Sequence, residues 1–378
     1  MDLRWTPEQE SFRAGAREWL RANVPSEPLP SMDTAAGFER HRGWERTLHE
    51  GGWSAVSWPE EYGGRGAGLE EWLIFEEEYW ASGAPPRVNQ NGLFLFAPTL
   101  LEHGTEEQKR RILPAMAAGD EIWCQGWSEP DAGSDLASLT SRADRQGDEW
   151  VINGQKTWCT RGAFADRLFG LFRTEAGSER HHGLSYLTVP LDAEGVTRRP
   201  IAQLNGETGF AEVFFDDVRI SAPANTIGPE GEGWKIAMAT AGFERGLLLR
   251  SPGRFMAPAE RLIALAGERR AAAPNAAVDD AVDAWLRVEA YRLFTLWTVS
   301  RLQSGGSIGA ESSLNKLWWS EMDVDLNRAA LGLLGEEAEL EGPWTDALQF
   351  ALAGPIYAGS NEIQRNIVAE RVLGLPRG

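Results

Sequence analysis

The chain has 378 residues, 42% of them hydrophobic, enough apolar material to bury a sizeable core in two or three domains. Its 37 lysines and arginines stand against 56 aspartates and glutamates, and the formal net charge of -19 argues against nucleic acid and against an anionic membrane surface as partners. Two cysteines, Cys124 and Cys159, cannot build a disulfide framework, and five histidines with one adjacent pair give no metal-site spacing, so no metal is expected.

The opening MDLRWTPEQE has neither a basic nor an apolar leader segment, and no apolar run long enough to cross a bilayer occurs, so a soluble cytoplasmic chain is expected. Thr6 followed by Pro7 reads as a helix start, with Thr6 as N-cap and Pro7 at the first helical position, where its missing N–H costs nothing. Up to about residue 120 the apolar residues keep helical spacing between turn clusters, such as PEEYGGRGAG ahead of LEEWLIFEEEYW. From Ile122 to about Asp217 the pattern alternates in short segments, EWVINGQKTWCT, LSYLTVPL and AEVFFDDVRI, and Asn153-Gly154 predicts a two-residue hairpin turn. After IGPEGEGW the helical period returns in three or four long segments to about Phe350, with GERRAAAPNAAVDDAV read as an exposed connection between helices. The expected architecture is a multidomain α+β protein: residues 1–120 helical, 121–232 an antiparallel β domain, and 233–378 a helical bundle. Boundaries between such domains are favoured places for a cofactor.

Three places could carry chemistry. In QGWSEPDAGSD, Ser128 and Ser134 lie among small residues that let a ligand approach the main chain, which suits either an oxygen-binding loop or a plain turn. In KTWCT, strand alternation puts Trp158 and Thr160 on one face, an aromatic plate beside a hydroxyl that fits a flavin ring; on the strand pattern alone Trp158 as core is the preferred reading, since aromatics are common in strands. In TAGFERGLLL, a helical wheel at about 100° per residue, with Trp234 at zero, puts Ala237, Met238, Ala241 and Leu248 within roughly 60°. On the same wheel Arg245 falls near 20° and Glu244 near 80°, both toward the side expected to be buried or its edge. A carboxylate there is ion-paired, protonated or used in chemistry.

WSEPDAGSDLASL and GSNEIQRNIVAERVLGLP, with SWPEEYGG and VINGQKTWCT in the same order, resemble the recurring segments of acyl-CoA dehydrogenases over nearly the whole chain. The resemblance implies an N-terminal α domain, a middle β domain and a C-terminal four-helix bundle holding FAD. By position it implies that Trp127, Ser128, Gly133 and Ser134, then Trp158, Cys159 and Thr160, and finally Ser360, Asn361 and Glu362 lie at the cofactor. Ser134, Arg245, Tyr357, Ala358 and Gly359 would meet the acyl-CoA substrate.

The reaction implied is removal of an α proton and a β hydride from the thioester, giving the 2-enoyl-CoA, with electrons leaving to an electron-transfer flavoprotein. Such a weak carbon acid needs a desolvated carboxylate and donors on the thioester carbonyl. Many members carry the base immediately before the glycine that corresponds to Gly359, where this chain has Ala358. Isovaleryl- and long-chain-type members carry it instead on the helix after the β domain, followed by arginine. Glu244-Arg245 is similar to that arrangement, which makes Glu244 the implied base and leaves the Ala358 N–H as a carbonyl donor. GERRAAAPNAAV and ALGLLGEEAEL depart from the segments that hold the adenosine and pyrophosphate of FAD in single-subunit-type members. That departure resembles members paired with a sister chain, so either a homo-oligomer or a heterotetramer with a sister chain is expected. An oxidase or monooxygenase of the same fold, or a non-catalytic partner subunit, are the alternative readings.

Overall fold

The structure, a computed structural model, describes residues 4–245, 250–306 and 308–376, with the side chains of residues 243–245 outside the described set. The N-terminal helices are α1 (Pro7–Asn23), α2 (Ala35–Glu50), α3 (Leu69–Ala81), α4 (Ala97–His103) and α5 (Glu106–Ala117). Among the described residues eight strands follow: β1 (Trp123–Gly126), β2 (Arg142–Gln146), β3 (Glu149–Cys159), β4 (Arg167–Arg173), β5 (Leu184–Pro190), β6 (Val196–Ile201), β7 (Phe210–Ser221) and β8 (Thr226–Ile227). The short α6 (Ala222–Asn225) sits between β7 and β8. Then come α7 (Gly233–Arg245), α8 (Gly253–Arg269), α9 (Asn275–Gln303), α10 (Ser312–Leu334), α11 (Pro343–Ala351) and α12 (Asn361–Ile367). The architecture is thus N-terminal helical, middle β and C-terminal helical.

Compactness does not follow chain order. One unit combines the chain up to Val24, Ala67–Ala84 and everything from Glu244 onward; the other holds Pro25–Gly66 and Pro85–Phe243. In the first, α1 begins as its sequence dictates: the Thr6 hydroxyl accepts from Gln9 N–H at 3.2 Å and the Gln9 side chain accepts from Thr6 N–H at 3.0 Å, a reciprocal cap. Helix α3 buries Trp72, Leu73, Ile74, Phe75 and Tyr79, while its acidic run finds cations. Glu78 accepts from Arg17 at 2.6 and 2.7 Å, and Glu77 from Arg13 and Arg292, both at 3.0 Å. The core of α8, α9 and α10 is built from Phe255, Leu262, Ala281, Val288, Tyr291, Trp319, Met322 and Leu326. Within the segment expected to be an exposed connection, only Arg270–Pro274 links helices; α9 already begins at Asn275.

The second unit is built on one sheet with strand order β6-β7-β3-β2-β4-β5-β8, and β1 added on β4. It is not purely antiparallel, because β1 and β2 both pair with β4 in parallel. Gly126 and Gly170 stand opposite each other in the β1–β4 register, where a Cβ on Gly170 would come within 2.5 Å of the Gly126 oxygen. The sheet core includes Trp150, Ile152, Leu168, Phe172, Leu187, Val213 and Val218, together with both cysteines.

Asn153-Gly154 is not the hairpin turn. The β2–β3 turn is Gly147-Asp148, with Gly147 at φ +60°, and Asn153-Gly154 forms an irregularity inside β3, where the register to β7 shifts between Ile152 and Gly154. Gly154 has φ +143°, and a Cβ there would lie 2.3 Å from Ser141 Oγ, so glycine serves a bulge and a close approach rather than a turn.

Candidate active site

The QGWSEPDAGSD segment leaves β1 and folds back on itself: Glu129 and Ala132 exchange backbone hydrogen bonds at 3.0 and 3.1 Å. Pro130, Asp131, Gly133, Ser134 and Asp135 are exposed, and a Cβ added at Gly133 would meet nothing within 4 Å. Ser128 is half-buried and its carbonyl accepts from Thr157 N–H at 2.9 Å, which ties the loop to β3. Trp127 is half-buried, yet its Nε1 is shielded from solvent and donates to no acceptor among the described residues.

Sequence reasoning missed the group that holds this loop. Glu129 is 5% exposed and Lys156 fully buried, with Lys156 Nζ donating to Glu129 Oε1 at 2.7 Å. The other Glu129 oxygen accepts from Thr140 N–H at 2.6 Å and Thr140 Oγ1 at 2.9 Å, and Oε1 also takes Ser141 N–H at 3.0 Å. Burial by itself would raise the Glu129 pKa, but the Lys156 charge and these donors outweigh it and hold the carboxyl at about 2. Burial lowers the Lys156 pKa against the opposing pull of Glu129. Both residues stood inside the quoted motifs, but nothing local in the sequence signals a pair 27 positions apart.

The strand that supplies Lys156 then breaks its alternation. A second register shift falls between Lys156 and Cys159, and Trp158 takes φ +57°. Trp158 is therefore not core: it is 60% exposed, with Phe210 edge-on at 6.3 Å. Cys159 turns the opposite way, fully buried in the sheet core with Cys124, so its side chain is not offered to a ligand. Burial, then the neighbouring Cys159, push the Cys124 thiol well up, which keeps it protonated. Thr160 lies just past β3 and is half-buried, so strand alternation does not relate it to Trp158.

On α7 the buried side runs through Gly233, Ile236, Ala237, Thr240 and Ala241, whereas Trp234 is half-buried and Met238 is 39% exposed. Of the wheel centred on Trp234, Ala237 and Ala241 do lie on the buried face, whereas Trp234 and Met238 do not. The Thr240 hydroxyl meets that of Thr99 at 2.8 Å in the interior. The side chains of Glu244 and Arg245 lie outside the described residues.

In the helical unit, Ala358 adopts φ +59° and Gly359 φ +81°, consecutive left-handed residues. Their carbonyls accept from the buried Gln364 side chain at 3.1 and 3.3 Å, and among the described residues their N–H groups donate to no protein acceptor. Tyr357 is fixed from another direction, by Arg250. This buried guanidinium lies 4.6 Å from the Trp319 ring and 5.4 Å from the Tyr357 ring, and donates to the Tyr357 hydroxyl at 3.0 Å. Arg250 was not picked out from the sequence. Ser360 caps α12, and Glu362 is exposed. The Asn361 side chain is committed inward: it accepts from Lys316 at 2.6 Å and Ser320 at 3.1 Å and donates to Glu321 at 3.0 Å.

Three sequence models of one family match the chain in order: acyl-CoA dehydrogenase N-terminal domain at residues 6–120, middle domain at 124–218 and C-terminal domain at 231–373. The acyl-CoA dehydrogenase IpdE1 of Mycobacterium tuberculosis is 42% identical over 97% of this chain and 98% of its own. This chain belongs to the acyl-CoA dehydrogenase family. The acyl-CoA dehydrogenase FadE26 of the same organism is 32% identical over 100% of this chain and 99% of its own. Among solved structures, one titled Tcur3481-Tcur3483 steroid ACAD superposes with a TM-score of 0.88 at 30% identity, covering 100% of both chains. The ChsE4-ChsE5 complex from Mycobacterium tuberculosis does so at 0.85, also at 30% identity and 100% of both. As an acyl-CoA dehydrogenase, the chain is an oxidoreductase of a flavoprotein family. Among its described residues no helix is long and apolar enough to cross a membrane, and no cluster of acidic, histidine or cysteine side chains could hold a metal ion.

Proposed function

We propose that this acyl-CoA dehydrogenase binds FAD and introduces an α,β double bond into a ring-bearing acyl-CoA of the steroid class, with Glu244 as base and an electron-transfer flavoprotein as acceptor. The observation that carries this reading is Ala358, whose methyl side chain has no atom that could accept a proton, held in a left-handed turn whose N–H groups have no protein acceptor among the described residues. That turn supplies donors for a thioester carbonyl, and the missing carboxylate leaves room for a bulky acyl group and moves the base elsewhere. Glu244, followed by Arg245, takes the α proton on its carboxylate.

The residues of the β unit fit a flavin. A tryptophan held out from its strand offers a flat apolar face, and the exposed Gly133-Ser134 main chain admits close approach of a polar ring edge. FAD supplies the hydride acceptor when bound. Trp127, Ser128, Gly133, Ser134, Trp158 and Thr160 are assigned to it, with Ser360 and Glu362 from the C-terminal segment; Cys159 and Asn361 contribute through their backbone. Tyr357, Ala358, Gly359 and Arg245 are assigned to the substrate. The steroid ACAD and the ChsE4-ChsE5 complex, each titled with two chains, support a sister chain as the partner that completes the FAD site.

The test is anaerobic mixing of the purified protein, alone and co-expressed with a sister chain, with a panel of acyl-CoAs while flavin absorbance is followed. Thioesters with steroid-derived acyl groups should bleach the flavin faster than straight-chain ones. Faster bleaching by straight-chain thioesters would contradict the assigned substrate class, and a protein that takes up no FAD in either form would contradict the whole reading.

A further inference from the structure

We propose that the buried Glu129–Lys156 ion pair is a positioning device that locks the two cofactor-facing segments of the β unit together before the cofactor arrives. The proposal rests on the FAD reading above. Lys156 is fully buried and Glu129 nearly so, and the pair closes at 2.7 Å. Its two residues stand on different segments, Glu129 in the loop that carries Trp127 to Ser134, and Lys156 two positions before Trp158 on β3.

Every contact of the pair works as a tether. Lys156 Nζ also reaches the Trp127 carbonyl at 3.4 Å and lies 5.0 Å from the Phe172 ring, so the ammonium is bound to the loop backbone and to the sheet core at once. Glu129 is filled by Thr140 and Ser141 in addition to Lys156, which fastens the far end of the same loop. Thr157 N–H to the Ser128 carbonyl, at 2.9 Å, adds a backbone link between the segments.

A fully satisfied buried pair is often near neutral for stability against an apolar substitute, so stability alone does not explain the arrangement. What it fixes is geometry. Lys156 anchors β3 at the residue where the bulge begins, and the bulge sets Trp158 at φ +57° and 60% exposed. A wall that is ordered in advance removes an ordering cost from binding.

Two measurements test this. In amide hydrogen exchange on the full chain, peptides spanning Thr140–Ser141 and Thr157 should exchange slowly without FAD and change little when FAD is added. Slow exchange that appears only with FAD would overturn the proposal. Second, the double variant Glu129→Gln/Lys156→Met, which leaves no unpaired charge, should raise the FAD dissociation constant about tenfold, the scale of one or two side chains newly ordered on binding. A dissociation constant within about twofold of wild type would overturn it; if the double variant does not fold, the exchange result on the wild type decides. Wild-type protein that binds no FAD, alone or with a sister chain, would remove the FAD reading and this proposal with it. Wild-type protein that binds FAD with a fast-exchanging loop would remove this proposal only.

Discussion

Replacing Arg250 by methionine should destabilise the helical unit by about 3 kcal/mol. The guanidinium is 5% exposed, sits over the rings of Trp319 and Tyr357, and donates to the Tyr357 hydroxyl at 3.0 Å. A hydrogen bond from a charged donor contributes about 1.5–3 kcal/mol net, and a desolvated cation–π contact about 1–2 kcal/mol. The contributions overlap because one group makes them all, and methionine keeps much of the stem volume, so the total stays near the lower end of the sum. Tyr357→Phe, which deletes only the hydroxyl that accepts from Arg250, should cost about 1 kcal/mol. Equilibrium urea unfolding of the wild type, both single variants and the double variant gives a coupling energy. It should be fitted unit by unit, because a chain with two compact units need not unfold in one step. A coupling of at least about 1 kcal/mol is expected; additivity within about 0.3 kcal/mol would refute the contact as the anchor of the loop. Since Ala358 follows Tyr357 directly, flavin reduction by substrate should also slow in Arg250→Met while bound FAD is retained.

Two further predictions concern the β unit. The Glu129 carboxyl is held at about 2 against an ordinary 4.5, so its contribution to stability is fully present above about pH 4.5 and is lost as pH falls toward 2. The stability gap between wild type and Lys156→Met should therefore narrow by about 3 kcal/mol over that window; a gap that does not change with pH would contradict the pairing. Gly154→Ala should cost about 3 kcal/mol in urea unfolding, from its positive φ and the overlap with Ser141; a cost below about 1 kcal/mol would mean that the strand accommodates a side chain there.

What the sequence made legible was local chemistry. Thr6 and Pro7 announce the start of α1 because a cap is settled within four residues, and the turn cluster PEEYGGRGAG marks the approach to α3, which Gly68 precedes without a side-chain cap. Asn153-Gly154 misled because glycine at positive φ serves a bulge inside a strand as well as a hairpin turn. Trp158 was legible as an aromatic of interest but not as an exposed one, since a single irregularity between Lys156 and Cys159 reverses the phase that alternation assumes. The parallel pairing of β1 with β4 joins segments over 40 residues apart and has no local signal. For the same reason Glu129, Lys156 and Arg250 escaped notice: each looks like a surface charge until the fold supplies its partner.

Removal of the α proton by Glu244, as proposed above, is read from the single-turnover rate of flavin reduction by a steroid-type acyl-CoA in Glu244→Gln. Glutamine keeps the shape of the side chain and cannot accept the proton, so the rate should fall by a factor of about 10² to 10⁴ with FAD content unchanged. Adding Ala358→Glu to that variant should restore part of the rate, because a carboxylate would then stand at the other position used in the family. Reduction of Glu244→Gln at the wild-type rate, together with a loss of stability, would show that Glu244 is a structural ion-pair member and that another group removes the proton.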